Sequence, residues 1–299
     1  MLEHFNPAPA APARVVLLGS RGFVAGTVAA RLQSGGVNVL ALPAQDLDLL
    51  NPASVTRLTA LLQADDALVF ASALTPDRGR DIGAFMKNLT MARHVCDALA
   101  QTPVAHVVYI SSDAVYHDDA NPVTERSCCQ PSSFHGMMHL ARELMLAQTV
   151  KAPLAILRPS LLYGLADTHN GYGPNRFRRL AEEGKPITLF GEGEEMRDHV
   201  LVDDLAELVR LALVHRSAGV LNVATGQSAS FRTVAETLAA LFAAAGTAGV
   251  AVAGTPRANP VTHRHFDPAG TLKAFPEFRY TPWTDGARRL LPSTKTDTR

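Results

Sequence analysis

Two histidines and a serine carry the chemistry this chain is equipped to do. His135 and His139 stand four apart in Pro131-Ser-Ser-Phe-His-Gly-Met-Met-His139, a spacing that puts both imidazoles on one face of a helix. Ser112 closes the apolar, β-branched run that starts at Val104, the pattern of a buried strand with hydroxyls at its carboxyl end. A strand end offering a hydroxyl beside a helix offering imidazoles makes a general acid–base centre. Neutral imidazole titrates near about 6.5, so His135 needs no neighbouring cation to act as a base at neutral pH. A charged His139 would disfavour charge on His135.

Such a centre needs something to act beside, and the start of the chain offers it. Arg14-Val-Val-Leu-Leu18 reads as a buried strand, followed by Gly19-Ser-Arg-Gly22-Phe-Val-Ala25-Gly26 and a helix carrying Val24, Val28, Ala29 and Leu32. Strand, glycine turn and helix together form the context in which such glycines let a backbone approach a pyrophosphate at a helix N-terminus. An ordinary tight turn is the plainer alternative. Ala25 stands where the third glycine of a Gly-x-x-Gly-x-x-Gly spacing serves close packing.

The elements that must position these groups alternate. A strand over Val37–Leu42 is followed by Asp46-Leu-Asp-Leu-Leu50, then a helix from Pro52 to about Gln63 with Asn51 as its cap. Ala67–Ala73 reads as another buried strand, Asp81–Gln101 as a helix, and Val104–Ser111 as the next strand. Repeated strand–helix units with apolar strands predict an α/β fold with a doubly wound parallel sheet, whose ligand lies at the carboxyl ends of the strands. Gly19, Ala73 and Ser112 fall at such ends. The apolar window Leu238–Gly254, interrupted by Gly246 and Gly249, reads as a core helix running into a short strand, not a membrane span.

Composition narrows the classes. The chain has 299 residues, 47% hydrophobic, no net charge and a pI near 7.2, enough for a large core and without a basic field for nucleic acid or an anionic membrane. Of the three cysteines, Cys96, Cys128 and Cys129, two are adjacent, a poor disulfide framework that points to a reducing, cytoplasmic setting. Residues 1–13, rich in Pro and Ala, lack the cationic start of a signal peptide and read as a flexible tail. Residues 292–299 read as another. The His263-Arg-His265 cluster lacks a cysteine or carboxylate pair at ligand spacing, so no metal is expected.

At this point the chain resembles the extended short-chain dehydrogenase/reductase family of nucleotide-sugar epimerases, dehydratases and reductases. The resemblance rests on ordered matches: Gly19 to Ala25, Ser111 to Tyr116, Arg158-Pro-Ser-Leu-Leu-Tyr-Gly164, Gly184 to Gly193, Arg197-Asp-His-Val-Leu-Val-Asp-Asp204 and Leu221 to Gly226. It implies a Rossmann-type dinucleotide-binding domain over 14–162. A smaller, discontinuous α/β lobe for substrate is implied mainly over 163–291, with segments crossing back. The glycine loop and Asp46–Leu50 look most like those of GDP-fucose synthase and dTDP-4-dehydrorhamnose reductase. By that likeness the cofactor contacts are Gly19, Arg21, Gly22, Phe23, Val24, Asp48, Leu49, Ala71, Ala73, Ser111, His139, Pro159 and Leu162. Asp48 and Leu49 would flank the adenine. Arg21 would meet a 2′-phosphate, because guanidinium pairs well with phosphate, although a solvent-exposed loop arginine is an equal reading. With no acidic residue near Leu42 to grip a ribose diol, NADP(H) is slightly favoured over NAD(H).

One departure matters most. Where the family carries Tyr-x-x-x-Lys, this chain carries His135 and His139, the flanking Pro131 and Gly136 keeping the alignment. The resemblance makes Ser112, His135 and His139 the catalytic set. It makes Asp113, Ser160, Asn175, Phe177 and Arg197 the substrate contacts, with Arg197 on a nucleotide diphosphate. Ala114 stands where 4,6-dehydratases have a second carboxyl, so dehydration is excluded and keto reduction or epimerisation of a nucleotide-activated or related sugar remains. The alternative is a degenerate dinucleotide-binding protein that senses cofactor or scaffolds a partner. A homodimer through two long helices is expected by family likeness.

Overall fold

The computed structural model describes residues 2–292. The first half of the chain runs β1 (Glu3–His4), β2 (Val15–Leu18), α1 (Phe23–Ser34), β3 (Val39–Leu42), α2 (Ala53–Leu61), β4 (Ala67–Phe70), α3 (Ile82–Gln101) and β5 (His106–Ile110). A 3-10 turn over Asp113–Val115 leads to α4 (Phe134–Thr149), β6 (Leu154–Pro159) and β7 (Leu161–Tyr163). Then follow α5 (Pro174–Glu182), β8 (Ile187–Phe190), β9 (Met196–Leu201), α6 (Val202–Val214), β10 (Ser217–Val223) and β11 (Ser228–Ser230). The described chain closes with α7 (Phe231–Ala244), β12 (Val252–Thr255), α8 (Ala269–Ala274) and α9 (Trp283–Arg288).

Seven strands form one sheet in the order β1-β10-β6-β5-β4-β2-β3, parallel except for β1. Alternation along β2 shows why it is covered on both faces. Val15 and Leu17 pack with Val28 and Leu32 of α1 and Leu205 and Leu208 of α6. Val16 and Leu18 pack with Leu58 of α2, Val95 of α3 and Leu146 of α4. This is the doubly wound Rossmann-type sheet, and its order reverses at β2, with β3 on one side and β4 on the other. Ligand crevices open at such a switch point, outside the carboxyl ends of the strands.

The rest of the chain forms a smaller lobe of a three-stranded sheet, β11-β9-β7, and a two-stranded one, β12-β8. Its own core joins Phe177 of α5 to Phe231, Leu238 and Phe242 of α7. α6 and β10 return to the large sheet. The apolar window at Leu238–Gly254 resolves into the end of α7 and β12, and among the described residues no helix is long and apolar enough to cross a membrane.

Helix and strand bounds fall within a few residues of those read from the sequence. α3 starts at Ile82 because the Asp81 side chain accepts from the Ala84 amide and caps it. The N-terminal segment corrects an expectation: it is not a loose tail. β1 pairs antiparallel with β10, His4 Nδ1 meets Ser217 Oγ at 2.8 Å, and Asn6 Nδ2 donates to the Val214 carbonyl at 2.9 Å. The unpaired backbone of a sheet edge is what recruits it. Of the expected tail at 292–299, residues 293–299 lie outside the described residues.

Candidate active site

The glycine loop follows β2 at the switch point. Gly19 adopts φ +84°, and a Cβ there would lie 2.5 Å from Ser72 Oγ on the neighbouring strand's exit, so this position admits no side chain. Gly22 closes the turn by donating to the Gly19 carbonyl at 2.8 Å and stands at the start of α1 with no side-chain cap. The first amides of α1 are left facing the crevice, the arrangement that receives a phosphate. Arg21 is exposed at the loop tip. Phe23 is buried, and a Cβ on Gly164 would come within 3.1 Å of its ring, which ties the loop after β7 to the glycine turn. Val24 packs against the large core.

The cofactor-side residues behave unequally. Asp48 is exposed, its carboxylate accepting from the Leu50 amide at 2.9 Å. Leu49 is buried in the core, and its carbonyl meets His94 Nδ1 at 2.8 Å. Ala71 and Ala73 line the exit of β4, where Asn88 clamps the next residue: its amide oxygen accepts from the Leu74 amide at 2.9 Å and its nitrogen donates to the Leu74 carbonyl at 3.0 Å. Pro159 ends β6, and Leu162 lends its carbonyl to Asn175 at 3.1 Å.

β5 delivers the serines. Ser111 is buried and donates to Glu143 of α4, whose carboxylate is bidentate to Arg158 at 2.9 and 2.5 Å. The hydroxyl of Ser111 is thus engaged within the protein. Ser112 is half-buried and its Oγ accepts from the Ala114 amide at 3.1 Å, starting the 3-10 turn. Asp113 is flanked by Arg264, whose Nε lies 3.6 Å from Oδ2. Burial nonetheless pushes the Asp113 carboxyl up, against the pull of Arg264 and Arg197.

α4 delivers the histidines, and Gly136 lets it come close. A Cβ at Gly136 would fall 1.9 Å from the Ala114 carbonyl oxygen, so only glycine allows the start of α4 to rest on the Ser112–Ala114 turn. Ser133 caps the helix by accepting from the Gly136 amide. His135 lines a cleft of about 320 Å³ between the starts of α3 and α4 and the loop after β4, with Leu74, Pro76, Phe85, Asn88 and Phe134. Burial and the Arg142 guanidinium lower its pKa to about 4. His139 lies deeper. Its Nδ1 is 2.8 Å from Tyr109 Oη and its ring meets His135 edge-on at 4.7 Å. Burial, then His135 and Arg142, hold it well below the ordinary imidazole value.

The structure therefore sets the glycine loop against the exit of β4 at Ser72, and the start of α4, which carries His135, against the Ser112–Ala114 turn. The expected substrate contacts in the lobe are engaged elsewhere. Asn175 Oδ1 accepts from the Gly164 amide at 3.0 Å, and Phe177 is fully buried. Ser160 donates to Asp198, which also binds Thr225 and Gly226. Arg197 is paired with Glu195 and donates to the Thr262 carbonyl. Among the described residues no group of three His, Cys, Asp or Glu side chains gathers as a metal site. Sequence reasoning missed Asn88, Tyr109, Arg142 and Glu143. The last two are charged residues among those that α4 buries, with Met138, His139 and Leu146.

Comparison with known proteins agrees with this geometry. The sequence profile of the NAD dependent epimerase/dehydratase family matches residues 15–224. A dTDP-L-rhamnose 4-epimerase from Burkholderia thailandensis is 33% identical over 129 residues, 40% of this chain and 35% of the relative, so the match spans about a third of that protein. UDP-glucose 4-epimerase from Thermus thermophilus, in complex with NAD, superposes with a TM-score of 0.79 at 22% identity, over 93% of this chain and 97% of the other. RMD from Pseudomonas aeruginosa, complexed with NADPH, superposes with a TM-score of 0.80 at 22% identity over the same shares, 93% and 97%.

Proposed function

Because the chain belongs to the NAD dependent epimerase/dehydratase family of extended short-chain dehydrogenases/reductases, we propose keto reduction or epimerisation of a sugar as its reaction. The substrate in this reading is a nucleotide-activated or related sugar, and the cofactor is NAD(P)(H). The uncapped start of α1, reached past Gly19 and Gly22, fits a dinucleotide pyrophosphate, and the nicotinamide, when bound, donates or accepts a hydride. Arg21 at the loop tip favours NADP(H).

The observation that carries the reading is His135, a neutral imidazole in the wall of a cleft, on the turn of α4 that rests against the Ser112–Ala114 segment. Its ring takes the proton of a substrate hydroxyl and returns it to the carbonyl oxygen in the reverse direction. Ser112 hydrogen-bonds the same oxygen. Asp113 has no second carboxyl beside it at Ala114, which fits reduction or epimerisation and not dehydration.

A thermal-shift titration against NAD⁺, NADH, NADP⁺ and NADPH is the first test. Cofactor at a hundred times its Kd adds roughly 2.7 kcal/mol of stability, and Arg21→Ala is expected to erase about tenfold of preference for the phosphorylated pair. His135→Phe should lower turnover of a keto sugar by about 10²–10⁴ with cofactor affinity unchanged. In the direction that oxidises the sugar hydroxyl, where neutral His135 is the base, wild-type turnover should stay flat from pH 8 down to the onset of acid unfolding. An acid limb centred near about 6.5 would show that the imidazole is not held below its ordinary value.

One observation favours the second reading, a dinucleotide-binding protein without turnover. His139, at the position where the family has its lysine, turns inward to Tyr109 instead of toward a ribose. Cofactor binding without hydride exchange on any keto sugar would select it.

We propose a homodimer as well. Ile82 and Met86 on α3 and Phe134, Met137 and Leu144 on α4 are large, apolar and exposed on two packed helices, and a second copy would complete a four-helix contact. Leu144→Glu with Met86→Glu should halve the mass seen by light scattering while leaving the circular dichroism unchanged. The three free cysteines suit a cytoplasmic location, the one we propose.

A further inference from the structure

Arg142 lies inside the protein at 1% exposure, and no ion pair includes it among the described residues. Its donors all go to neutral oxygens. Nε and Nη2 bond the Asn88 carbonyl at 3.0 and 2.7 Å, Nη2 also reaches Asn88 Oδ1 at 3.0 Å, and Nη1 bonds the Ser72 carbonyl at 2.8 Å. The guanidinium stands over the Phe70 ring at 5.0 Å. The adjacent carboxylate, Glu143, is already bidentate to Arg158. A buried cation without a counter-ion is costly to keep, which asks what the charge acts upon.

It acts on a line of three groups. Tyr109 Oη contacts His139 Nδ1 at 2.8 Å, and His139 in turn meets His135 edge-on. Arg142 bears on the phenol and on both imidazoles. The imidazole is the only hydrogen-bond partner of the buried Tyr109 hydroxyl among the described residues, so the phenol satisfies its own proton by giving it to Nδ1. That fixes His139 as the tautomer with its proton on Nε2.

We propose that Arg142 and Tyr109 are positioning residues of the acid–base centre, acting through His139 to hold His135 as an oriented, neutral base. The inference rests on the reading of His135 as the acid–base group. It also reassigns His139 from ribose ligand to support. In this arrangement the fixed positive charge that a lysine at position 139 would bring is carried three residues later, on the same buried stripe of α4. The groups around the pair are Arg142 on α4, Tyr109 on β5, and Arg80 and Asp81 at the cleft, while Cys96 on α3 bears on Arg142 itself.

Nuclear magnetic resonance of the full chain labelled with ¹⁵N-histidine tests this, with NADP⁺ affinity measured separately. Wild type is expected to show His139 as a single tautomer, unprotonated at Nδ1, and His135 neutral at every pH at which the protein is folded. Tyr109→Phe should mix the His139 tautomers. Arg142→Met should raise the His135 midpoint by about one pH unit or more, and Arg142→Lys should keep it low. His139→Gln should leave the NADP⁺ Kd within about twofold, where a lost ribose ligand costs about tenfold. An unchanged His139 tautomer in Tyr109→Phe, an unmoved His135 in folded Arg142→Met, or the tenfold loss in His139→Gln would each overturn the proposal. If Arg142→Met does not fold, Tyr109→Phe decides. Spectra as expected from a protein without turnover would remove the enzymatic reading and leave the positioning intact.

Discussion

Replacing Gly136 with alanine is expected to lower turnover about a hundredfold while leaving a folded, cofactor-binding protein. The new methyl carbon would sit 1.9 Å from the Ala114 carbonyl oxygen, 2.7 Å from its carbon and 2.8 Å from Pro131 Cβ. Backbone and a proline ring cannot swing aside, so the start of α4 must draw back by about an ångström. Helix propensity works in the opposite direction, since alanine is favoured over glycine by about 1 kcal/mol, but overpacking of this kind costs about 1–3 kcal/mol. The net loss of stability is therefore modest. The loss of function is not, because α4 carries His135, and displacement of a reacting group by about 1 Å costs about 10²-fold. Gly249→Ala is the control: nothing lies within 4 Å of its Cβ position, and neither stability nor turnover should change. Full activity in Gly136→Ala would mean that the contact between α4 and the Ser112 turn does not set the site.

Acid should unfold this protein earlier than its carboxylates alone would. His106 and His135 have pKa values lowered to about 4 and His199 to about 3, all chiefly by burial, and His139 is lowered as well. In the unfolded chain each returns to about 6.5. The unfolded state thus binds more protons below that value, so the stability these sites contribute is complete above about pH 6.5 and is lost as pH falls toward 4. At pH 5 the loss is roughly 2 kcal/mol per site, or about 6 kcal/mol for His106, His135 and His199, with His139 acting in the same direction; this is comparable with the whole stability of a typical domain, about 5–15 kcal/mol. Urea titrations at stepped pH should show the free energy of unfolding falling steeply between pH 6.5 and 5. A flat profile over that interval would show these histidines to be hydrated. His199 is the cleanest single test, because neither ring nitrogen has a partner among the described residues and the ring packs against Phe231 and Trp283. His199→Phe should make the profile shallower.

The parts legible in the sequence were those set by local rules. The apolar run Val15–Leu18, the glycine turn after it and the helix from Asp81 each follow from a few adjacent residues, and several ordered motifs point to one fold. What escaped depends on rotation and reach. Spacing places His139 on the same face as His135, yet it does not say that Tyr109, thirty positions away, will draw the imidazole inward. Arg142 and Glu143 read as ordinary helix charges until their burial is known. Asn175 and Phe177 keep the family pattern, but the lobe core and the Gly164 amide take up their side chains. The docking of β1 was invisible for a different reason: its partner, β10, lies 213 positions further along the chain.

That last pairing has a consequence for how the chain assembles. His4 and Ser217 are 213 positions apart, while β2, β4, β5 and β6 find neighbours after one intervening helix or two. Contacts that close so long a loop reward the chain only late. During synthesis β1 therefore waits for β10, and this edge is sealed only after the other strands of the seven-stranded sheet have emerged. The same short ladder, a Glu3–Ala218 and His4–Ser217 register, is the natural point for the native structure to begin to fray.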